Sequence, residues 1–428
     1  MSNTVLEDLQ WRGLVAQTTD ETDLRTALAA GPLTVYCGFD PTAPSLHFGN
    51  LVQLVVLRHL QRAGHRVICL VGGSTGLIGD PKPTSERILK TKEHTAANVA
   101  RIQDLVRPFL DFDGVNPAVM VNNLDWTAPI SALDFLRDIG KHFRVNQMIR
   151  KDAVAARLAS QEGISYTEFS YQILQALDYL HLYREFGCTL QTGGTDQWGN
   201  LTAGVDLVHR AEGATVHALT TPLLVDSGGA KLGKSEGNAV WLSAELTSPY
   251  AFYQYWINVE DASVVSLAKI FTGLGSAEIA DLEDSVTERP HLREAHRALA
   301  REVTTLVHGV AATEQVEAAS RVLFGKGDPA MLDAQTLSDA TAELPHADLA
   351  PGATVVEGLV ATGLAESRGA ARRLLQEGGV SVNNERADVE AQLTANTFIH
   401  DRVALLKRGK RHLAVVRASS AGGAPQAP

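Results

Sequence analysis

Leu33-Thr34-Val35-Tyr36, a short apolar run, is followed by His47-Phe48-Gly49-Asn50, and these two stretches indicate the architecture of the chain. Beyond them, apolar residues recur at helical spacing from Leu51 to Leu57. The pattern predicts a strand, a turn and a helix that begins near His47. A helix N-terminus carries unpaired N–H groups and a partial positive charge, so it favours phosphate. Histidine and asparagine add hydrogen-bond donors there without a permanent charge. The sequence therefore predicts a phosphate site at this turn.

A second glycine-bearing loop, Lys231-Leu232-Gly233-Lys234-Ser235, lies far downstream, with Gly228-Gly229 before it and Gly237 after it. The glycines indicate a flexible segment, and its two lysines are movable point charges able to close over a triphosphate. Taken separately, the first motif also fits a helix start with a surface histidine, and the second also fits a solvated basic turn. Their combination in this order favours an ATP-activating site.

The pair resembles the two signatures of the class I aminoacyl-tRNA synthetases, the HIGH and KMSKS motifs, spelled HFGN and KLGKS in this chain. Phe48 keeps an apolar packing position and Asn50 keeps a donor. Both lysines of the second motif remain in place. The residues that would touch phosphate are therefore retained.

Composition bounds the class of protein. The chain has 428 residues, of which 45% are hydrophobic, which suits a globular protein of about two to four domains. The first residues lack the basic and apolar pattern of a signal peptide, and no stretch approaches the roughly 18 apolar residues of a membrane span. We expect a soluble, cytoplasmic protein.

The three cysteines, Cys37, Cys69 and Cys188, are odd in number, far apart and flanked by strand-like residues. This pattern predicts reduced core thiols rather than disulfides. Cysteine and histidine form no cluster with zinc spacing. The sequence therefore predicts no protein-bound metal.

Charge is distributed unevenly along the chain. The net charge is −11, yet residues 351–428 hold ten Arg or Lys against seven Asp or Glu, a net of +3. The densest basic stretch, residues 407–412, lies between two apolar runs that predict strands joined by a basic turn. Lys407, Arg408, Lys410 and Arg411 are candidate RNA contacts, although a solvated hairpin tip would look the same.

Strand-like runs at residues 67–71, 118–121 and 189–191 follow the first predicted strand and are separated by long amphipathic segments. This alternation over residues 33–225 predicts an α/β fold: a Rossmann-like parallel sheet wrapped by helices, with ligands at the carboxyl ends of the strands. The chain as a whole is expected to divide into a catalytic domain, a helical domain on the anticodon side, an irregular linker with one short helix, a small α+β RNA-binding domain and a disordered tail. Their predicted bounds are 1–247, 248–327, 328–352, 353–420 and 421–428.

Residues 367–375 predict a helix that places Arg368, Arg372 and Arg373 at a pitch suited to successive phosphates. A short helix precedes this segment, and residues 378–384 follow as a turn into a strand. The run resembles the RNA-binding domain shared with a ribosomal small-subunit protein. We therefore expect the three arginines to contact RNA.

The helix predicted over residues 169–178 carries Tyr171, Gln175 and Asp178 on one face. Such a polar stripe suits a helix that lines a pocket, although partly exposed polar residues of an ordinary helix would give the same pattern. Tyr36 lies at the end of the first predicted strand, and the glycine-rich stretches 72–80 and 193–200 follow later ones. They are expected to open onto the same edge of the sheet.

The stretches 36–42, 76–81, 171–178 and 193–200 are similar in order and spelling to those of the bacterial tyrosyl-tRNA synthetases, and the similarity spans almost the whole chain. The resemblance implies tyrosine activation with ATP, transfer of tyrosine to the 3′ end of its tRNA for protein biosynthesis, and a homodimer. Mg²⁺ would accompany ATP rather than occupy a protein cage. The loop at residues 82–87 departs from the family spelling, and its role in phosphate binding stays open.

The resemblance also implies residue roles. The substrate phenol hydroxyl would be held by Tyr36 and Asp178, its ammonium by Asp80, Tyr171 and Gln175, and its carboxylate near Gln197. ATP would be bound by Cys37, Gly38, Asp40, His47, Gly49, Asn50, Gly194, Asp196 and Lys234. Catalysis at the phosphates would fall to Thr42, His47, Lys231, Lys234 and Ser235.

Two alternatives stand beside this interpretation. A tryptophanyl-tRNA synthetase is a close relative, but Tyr36 and Asp178 suit a hydroxyl better than an indole. A catalytically silent RNA-binding protein with the same fold would be expected to lose His47 or Lys234. Both residues are present.

Overall fold

The computed structural model describes residues 4–82, 84–225, 232–235, 238–324, 326–409 and 412–419, and for Lys234, Ser235 and Asn238 it describes the backbone. The predicted tail 421–428 lies outside these residues. The chain forms two compact units. The first unit comprises Met1–Thr247 and Val259–Glu302, and the second comprises Ser248–Asn258 and Val303–Pro428.

The strands are β1 Gln17–Thr18, β2 Thr34–Phe39, β3 Arg66–Val71, β4 Val119–Asn122, β5 Cys188–Gly194, β6 His217–Thr221, β7 Lys234–Ser235, β8 Asn238–Ala239, β9 His346–Leu349, β10 Ala353–Thr354, β11 Val380–Val382, β12 Glu385–Arg386, β13 Gln392–Leu393, β14 Val403–Arg408 and β15 His412–Ala418. The α-helices are α1 Val5–Trp11, α2 Glu21–Ala30, α3 Phe48–Arg62, α4 Thr75–Ile78, α5 Lys92–Val106, α6 Leu124–Thr127, α7 Ala132–Asp134, α8 Val145–Met148, α9 Asp152–Leu158, α10 Tyr166–Phe186, α11 Trp198–Glu212, α12 Pro249–Ile257, α13 Asp261–Phe271, α14 Ser276–Glu288, α15 Glu294–Leu323, α16 Ala334–Thr341, α17 Val355–Ala361 and α18 Arg368–Gln376.

The first unit is built on a six-stranded sheet in the order β1-β6-β5-β2-β3-β4. All neighbours from β6 to β4 pair in parallel, and β1 adds an antiparallel edge. Four of the six residues of β2 and five of the six of β3 are buried, as expected for parallel strands covered on both faces. The predicted α/β fold with a parallel sheet is confirmed. Strand β2 runs on to Phe39, so Tyr36 lies inside it rather than at its end.

Helix α3 begins where the histidine motif predicts. His47 is the N-cap residue: its ring accepts from the Gly49 N–H, and the Asn50 side chain accepts from the His47 N–H. These bonds satisfy donors that a helix start otherwise leaves unpaired. Buried apolar residues from Leu51 to Leu60 then pack the helix against the sheet. The strand-to-helix turn at the carboxyl end of β2 is thereby fixed.

Helix α10 has clear local stop and start signals. Ser165 caps its first turn by accepting from the Glu168 N–H, and Gly187 ends it in the left-handed conformation at φ 61°. Tyr171 and Asp178 are buried on the helix, and Gln175 between them is half-buried. The predicted polar stripe therefore faces the protein interior.

Helices α13 and α14 belong to the first unit, although the sequence predicted one helical domain over 248–327. Phe271 of α13 packs edge-on against Phe48, with ring centroids 6.1 Å apart. The Arg12 guanidinium donates to the carbonyls of Lys269, Thr272 and Leu274 at the end of α13. These contacts connect residues far apart in sequence, so helical periodicity could not reveal the division.

The second unit contains α12, the later part of α15, and a five-stranded sheet in the order β12-β11-β14-β15-β9. Helix α15 is interrupted at Gly309, where φ is 85°. The predicted hairpin of β14 and β15 is present, with Leu405 opposite Val415. Strand β9 pairs in parallel with β15, so the predicted irregular linker 328–352 contributes a strand to the sheet. Its sequence, His-Ala-Asp-Leu, is too short and polar to signal one.

All three cysteines lie among the described residues, and each is a buried free thiol, as predicted. Within the described ranges, no helix combines the length and apolarity that crossing a membrane requires.

Candidate active site

The carboxyl ends of β2, β4 and β5 place polar residues at one edge of the sheet of the first unit. Asp40 follows β2, Asn123 follows β4, and Gly194 ends β5. Helix α10 contributes Tyr171 and Asp178. The Tyr171 hydroxyl donates to Asp40, and the Asp178 carboxylate accepts from Asn123. The structure therefore brings together residues that the sequence analysis assigned to tyrosine and to ATP.

Asp178 forms one end of the cluster. It is 2% exposed, and its carboxylate accepts from Asn123 Nδ2 at 2.9 Å and from Trp126 Nε1 at 3.0 Å. Burial raises the pKa of Asp178 to about 8, although the two donors act in the opposite direction. Sequence reasoning missed Asn123 and Trp126. The position of Asn123 just after a predicted strand was the available signal.

Tyr36 lies beside Asp178 and is 1% exposed. Its ring meets the Tyr179 ring edge-on, with centroids 5.3 Å apart. Its hydroxyl is buried and has no hydrogen-bond partner among the described residues. Burial, followed by the nearby Asp178 charge, raises the pKa of Tyr36 well above its usual value, so the phenol stays protonated. A buried hydroxyl without a partner is costly unless a ligand completes it.

Asp40 connects the two predicted subsites. Its carboxylate accepts from Thr75 Oγ1 at 2.6 Å and from Tyr171 Oη at 2.7 Å. Burial raises the pKa of Asp40, and these two hydrogen bonds oppose the rise. Tyr171, expected to hold an ammonium group, thus has its hydroxyl directed to Asp40.

Asp80 follows the short helix α4 and is the centre of a second cluster. Its carboxylate accepts from Gln197 Nε2 at 3.0 Å and from Asn200 Nδ2 at 3.2 Å, and it pairs with Lys151 Nζ at 3.0 Å. The predicted neighbours Asp80 and Gln197 are therefore together. Lys151 was missed because nothing in its local sequence distinguishes it from a surface lysine.

The loop after Asp80 is tied to a buried ion pair. Arg157 and Glu168 are 2% and 1% exposed, and Arg157 Nη1 lies 3.1 Å from Glu168 Oε2. Glu168 Oε1 accepts from the Arg87 N–H at 2.9 Å, and Arg87 Nε donates to the Asp80 carbonyl at 2.6 Å. The pair thus connects the start of α10 with the segment 80–87.

The remaining predicted ATP residues lie on the same edge. Cys37 and Gly38 are in β2, and Asp196 is in the 3₁₀ turn Thr195–Gln197 after β5. Burial raises the pKa of Cys37 to about 12, so its sulfur stays a thiol at neutral pH. Thr42, two residues beyond Asp40, is exposed.

The segment that follows the second signature motif is hydrogen-bonded to the backbone at the first motif. The Phe48 N–H donates to the Val240 carbonyl at 3.1 Å, and the Leu242 N–H donates to the Leu46 carbonyl at 2.8 Å. Gly233, with φ 71°, lies directly against the Phe48 ring. Lys231 lies outside the described residues, as do the side chains of Lys234 and Ser235.

The predicted RNA residues divide into two groups. On α18, Arg372 and Arg373 are exposed, and Arg368 pairs with Glu357 at 3.2 Å. Lys407 is 9% exposed, and its ammonium donates to the Leu323 carbonyl at 3.4 Å. The structure does not favour Lys407 as an RNA contact, because both faces of β14 are covered and its ammonium is directed to a backbone carbonyl. Arg408 is half-buried and donates to the Leu364 carbonyl at 2.6 Å. Lys410 and Arg411 lie outside the described residues.

Across the described residues, no group of three His, Cys, Asp or Glu side chains is arranged to hold a metal ion. The site instead presents carboxylates, amides and phenols, which are groups suited to an amino acid. At the predicted phosphate site, the N–H groups of Phe48 and Gly49 donate to the Val240 carbonyl and to the His47 ring, so phosphate binding there would rest on side-chain donors.

Two models of known protein families match this chain. The family model "tRNA synthetases class I (W and Y)" matches residues 28–325. The model "Tyrosine--tRNA ligase SYY-like C-terminal domain" matches residues 336–416.

Two relatives illustrate the similarity. The chain is 56% identical over 419 residues to a tyrosine–tRNA ligase of Streptomyces coelicolor, covering 97% of this chain and 99% of that protein. It is 53% identical over 422 residues to a tyrosine–tRNA ligase of Mycobacterium bovis, covering 97% and 99%.

Solved structures agree with the fold. A truncated mitochondrial tyrosyl-tRNA synthetase of Aspergillus nidulans superposes with a TM-score of 0.69 at 29% identity, covering 75% of this chain and 94% of that one. A tryptophanyl-tRNA synthetase of Encephalitozoon cuniculi, at 13% identity and a TM-score of 0.54, shares the fold. The resemblance found in the sequence is confirmed, and the chain belongs to the tyrosine–tRNA ligase family of class I aminoacyl-tRNA synthetases.

Proposed function

We propose that the protein activates L-tyrosine with ATP to tyrosyl-adenylate and pyrophosphate, and then transfers tyrosine to the 3′ end of tRNA(Tyr). Family membership supports both steps. The single observation that carries the choice of amino acid is the buried, unpartnered Tyr36 hydroxyl beside the buried Asp178.

A phenol hydroxyl that enters this pocket can hydrogen-bond to both Asp178 and Tyr36. It donates to Asp178, and it accepts from Tyr36. Phenylalanine would leave the buried Tyr36 hydroxyl without a partner and would give Asp178 no further donor, at a cost that favours rejection. A site built for a hydroxyl penalises any ligand without one, because its buried polar groups then have no partner. An indole also lacks the hydroxyl, so the pocket supports tyrosine over tryptophan.

The amino and carboxylate groups of tyrosine are assigned to the cluster around Asp80. Asp80, Tyr171 and Gln175 hold the ammonium, and Gln197 lies near the carboxylate. The Tyr171 hydroxyl donates to Asp40, and this hydrogen bond joins the amino-acid side of the site to the nucleotide side.

ATP is assigned to the edge formed by β2, β5 and the start of α3. Its nucleoside part is lined by Cys37, Gly38, Asp40, Gly194 and Asp196, while His47, Gly49 and Asn50 lie at the helix start and Thr42, Lys231, Lys234 and Ser235 attend the phosphates. The tyrosine carboxylate attacks the α-phosphorus, and pyrophosphate leaves. Alignment and stabilisation of the developing charge account for catalysis, so no protein nucleophile is needed. Mg²⁺ enters with ATP, and we assign no residue to it.

The C-terminal domain is assigned to tRNA binding through Arg368, Arg372 and Arg373, and residues 248–327 are assigned to the anticodon side. Arginine suits phosphate because its planar fork of donors is always charged. Arg408, Lys410 and Arg411 remain further candidates at the hairpin between β14 and β15. The homodimer and the cytoplasmic location are proposals that rest on family membership alone.

Substitution of Tyr36 tests the role of its hydroxyl. Tyr36→Phe removes a hydroxyl that has no partner, so the unfolding midpoint should stay the same or rise. The Kd for tyrosine, measured by equilibrium dialysis, should rise about tenfold, while the Kd for phenylalanine should hardly change. Tyr179→Phe serves as the matched control, because the Tyr179 hydroxyl donates to the His217 carbonyl at 2.7 Å. Its loss should lower stability without changing selectivity. Equal losses for tyrosine and phenylalanine in Tyr36→Phe would remove Tyr36 from the phenol site.

A further inference from the structure

Lys151 places an ammonium group inside the amino-acid site. Its Nζ lies 3.0 Å from Asp80 Oδ1 and 2.6 Å from Asn200 Oδ1. The Lys151 and Asp80 side chains are 11% and 17% exposed, and Asn200 is wholly buried. The cation is therefore enclosed by acceptors rather than displayed to solvent.

The stem of Lys151 is packed as well as its head. An ideal Cβ on Gly199 would lie 3.5 Å from Lys151 Cγ and 3.9 Å from its Cε. This is ordinary van der Waals distance, so the methylene chain runs along the backbone at Gly199. The packing of the Lys151 methylene groups and the hydrogen bonds of its ammonium together hold Nζ at Asp80.

Asp80 has little capacity for a second cation. Its Oδ2 accepts from Gln197, and its Oδ1 accepts from Asn200 and Lys151. Two ammonium groups on one carboxylate would repel each other in a partly desolvated site. A substrate ammonium held by Asp80 must therefore replace the lysine.

We propose that Lys151 is the resident cation of the ammonium subsite, which neutralises Asp80 in the free protein and is displaced by the ammonium of the incoming amino acid. The inference rests on the proposed role of Asp80. A carboxylate this enclosed needs a counter-ion when no substrate is bound. Lysine presents the same –NH₃⁺ group as the substrate. The Asp80 carboxylate would therefore accept from an ammonium group both in the free protein and in the complex.

A cavity beside Lys151 can accommodate its displaced side chain. Lys151 lines a cavity of about 340 Å³ together with Gln147, Asp206 and Arg210. The Asp206 carboxylate on that wall, which lies 3.7 Å from Arg210 Nη2, is a second acceptor that the ammonium could share. The exchange then needs a rotation of one flexible side chain rather than movement of the backbone.

Ligands that differ in one charged group test the exchange. Tyrosine and tyramine both carry an ammonium, whereas 3-(4-hydroxyphenyl)propionate carries the phenol and the carboxylate alone. Lys151→Met keeps the stem and removes the competitor. We expect the Kd for tyrosine and for tyramine, measured by calorimetry, to fall about threefold or more, with no gain for the propionate. Arg150→Met, which removes the neighbouring exposed cation, should leave all three values unchanged.

A second measurement uses the unaltered protein. Acetylation of Lys151 by acetic anhydride, quantified by mass spectrometry against the exposed Lys141, should increase with saturating tyramine and not with the propionate. Weaker or unchanged tyrosine and tyramine binding in Lys151→Met, or labelling that does not respond to tyramine, would overturn the inference. Failure of the wild-type protein to bind any of the phenols would instead contradict the proposed function.

Discussion

The Phe48 ring occupies the space that a side chain at position 233 would need: an ideal Cβ on Gly233 would lie far inside the van der Waals contact distance from Phe48 Cε1. Gly233 also has φ 71°, a conformation that L side chains rarely adopt. Gly233 of the second signature motif is thus packed directly against Phe48 of the first. The Phe271 ring also packs edge-on against Phe48.

Gly233→Ala should therefore slow adenylate formation by about 10- to 100-fold, because the lysine motif is pushed away from the helix start. Phe48→Leu in the same chain should restore part of the rate by making room. Single-turnover measurements on both single variants and the double variant give the coupling. Gly213→Ala is the matched control, since it has φ 67° and no atom near its added Cβ. A normal rate for Gly233→Ala would disprove the contact.

Asp178 should make stability depend on pH in a defined direction. Its pKa is raised from 3.8 to about 8, so the folded protein binds this proton more tightly than the unfolded chain does. The resulting stabilisation is complete below pH 4 and is lost as the pH rises through about 8. In urea unfolding without ligand, the wild type should lose on the order of 2 kcal/mol more than Asp178→Asn between pH 6 and pH 9. Parallel losses in the two proteins would show that Asp178 is ionised throughout this range.

The buried pair of Arg157 and Glu168 should matter for both stability and substrate binding. Arg157→Met leaves a buried carboxylate unpaired and should cost about 3–5 kcal/mol, while Arg157→Met with Glu168→Leu should recover much of it. Arg184→Ala, which breaks the exposed pair with Glu212, should cost less than about 1 kcal/mol. The double variant should still show a raised KM for tyrosine, because Arg87 loses its acceptor on Glu168. A wild-type KM in a stable double variant would restrict the pair to a structural role.

The arginines of α18 should affect charging but not activation. Replacing Arg368, Arg372 and Arg373 by Ala should raise the KM for tRNA about tenfold and make charging less sensitive to salt. Pyrophosphate exchange should be unaffected. Alanine at three exposed arginines of the first unit, Arg101, Arg107 and Arg297, controls for the change in net charge. Equal effects of the two triple variants would indicate general electrostatic attraction rather than a binding surface.

The sheet and the flanking helices of the first unit could be predicted because their residues repeat at the periods that burial imposes. Strand-like runs identified β2, β3, β4 and β5, and residues recurring at helical spacing identified α3 and α10. The hairpin of β14 and β15 was visible for the same reason. Its inward Lys407 was not anticipated, although four consecutive buried residues from Ala404 onward show that both faces of β14 are covered.

The contacts inside the site could not be predicted from local pattern. Asn123 reaches Asp178 across 55 positions, and Lys151 reaches Asp80 across 71. Such pairs depend on how helices and strands pack, which sequence periodicity does not encode. The bond from Tyr171 to Asp40, rather than to a ligand, depends on packing in the same way. Residue types that suit the chemistry were therefore recognised, whereas their partners were not.

Activation of tyrosine should depend on a pocket that requires the phenol hydroxyl. Tyrosine-dependent ATP–pyrophosphate exchange by the full-length protein, without tRNA and with tryptophan and phenylalanine alongside, measures both the activity and its selectivity. We predict exchange with tyrosine and essentially none with the other two amino acids. Exchange driven by tryptophan or phenylalanine at a comparable rate, or no exchange with tyrosine, would show that the pocket does not select for the hydroxyl.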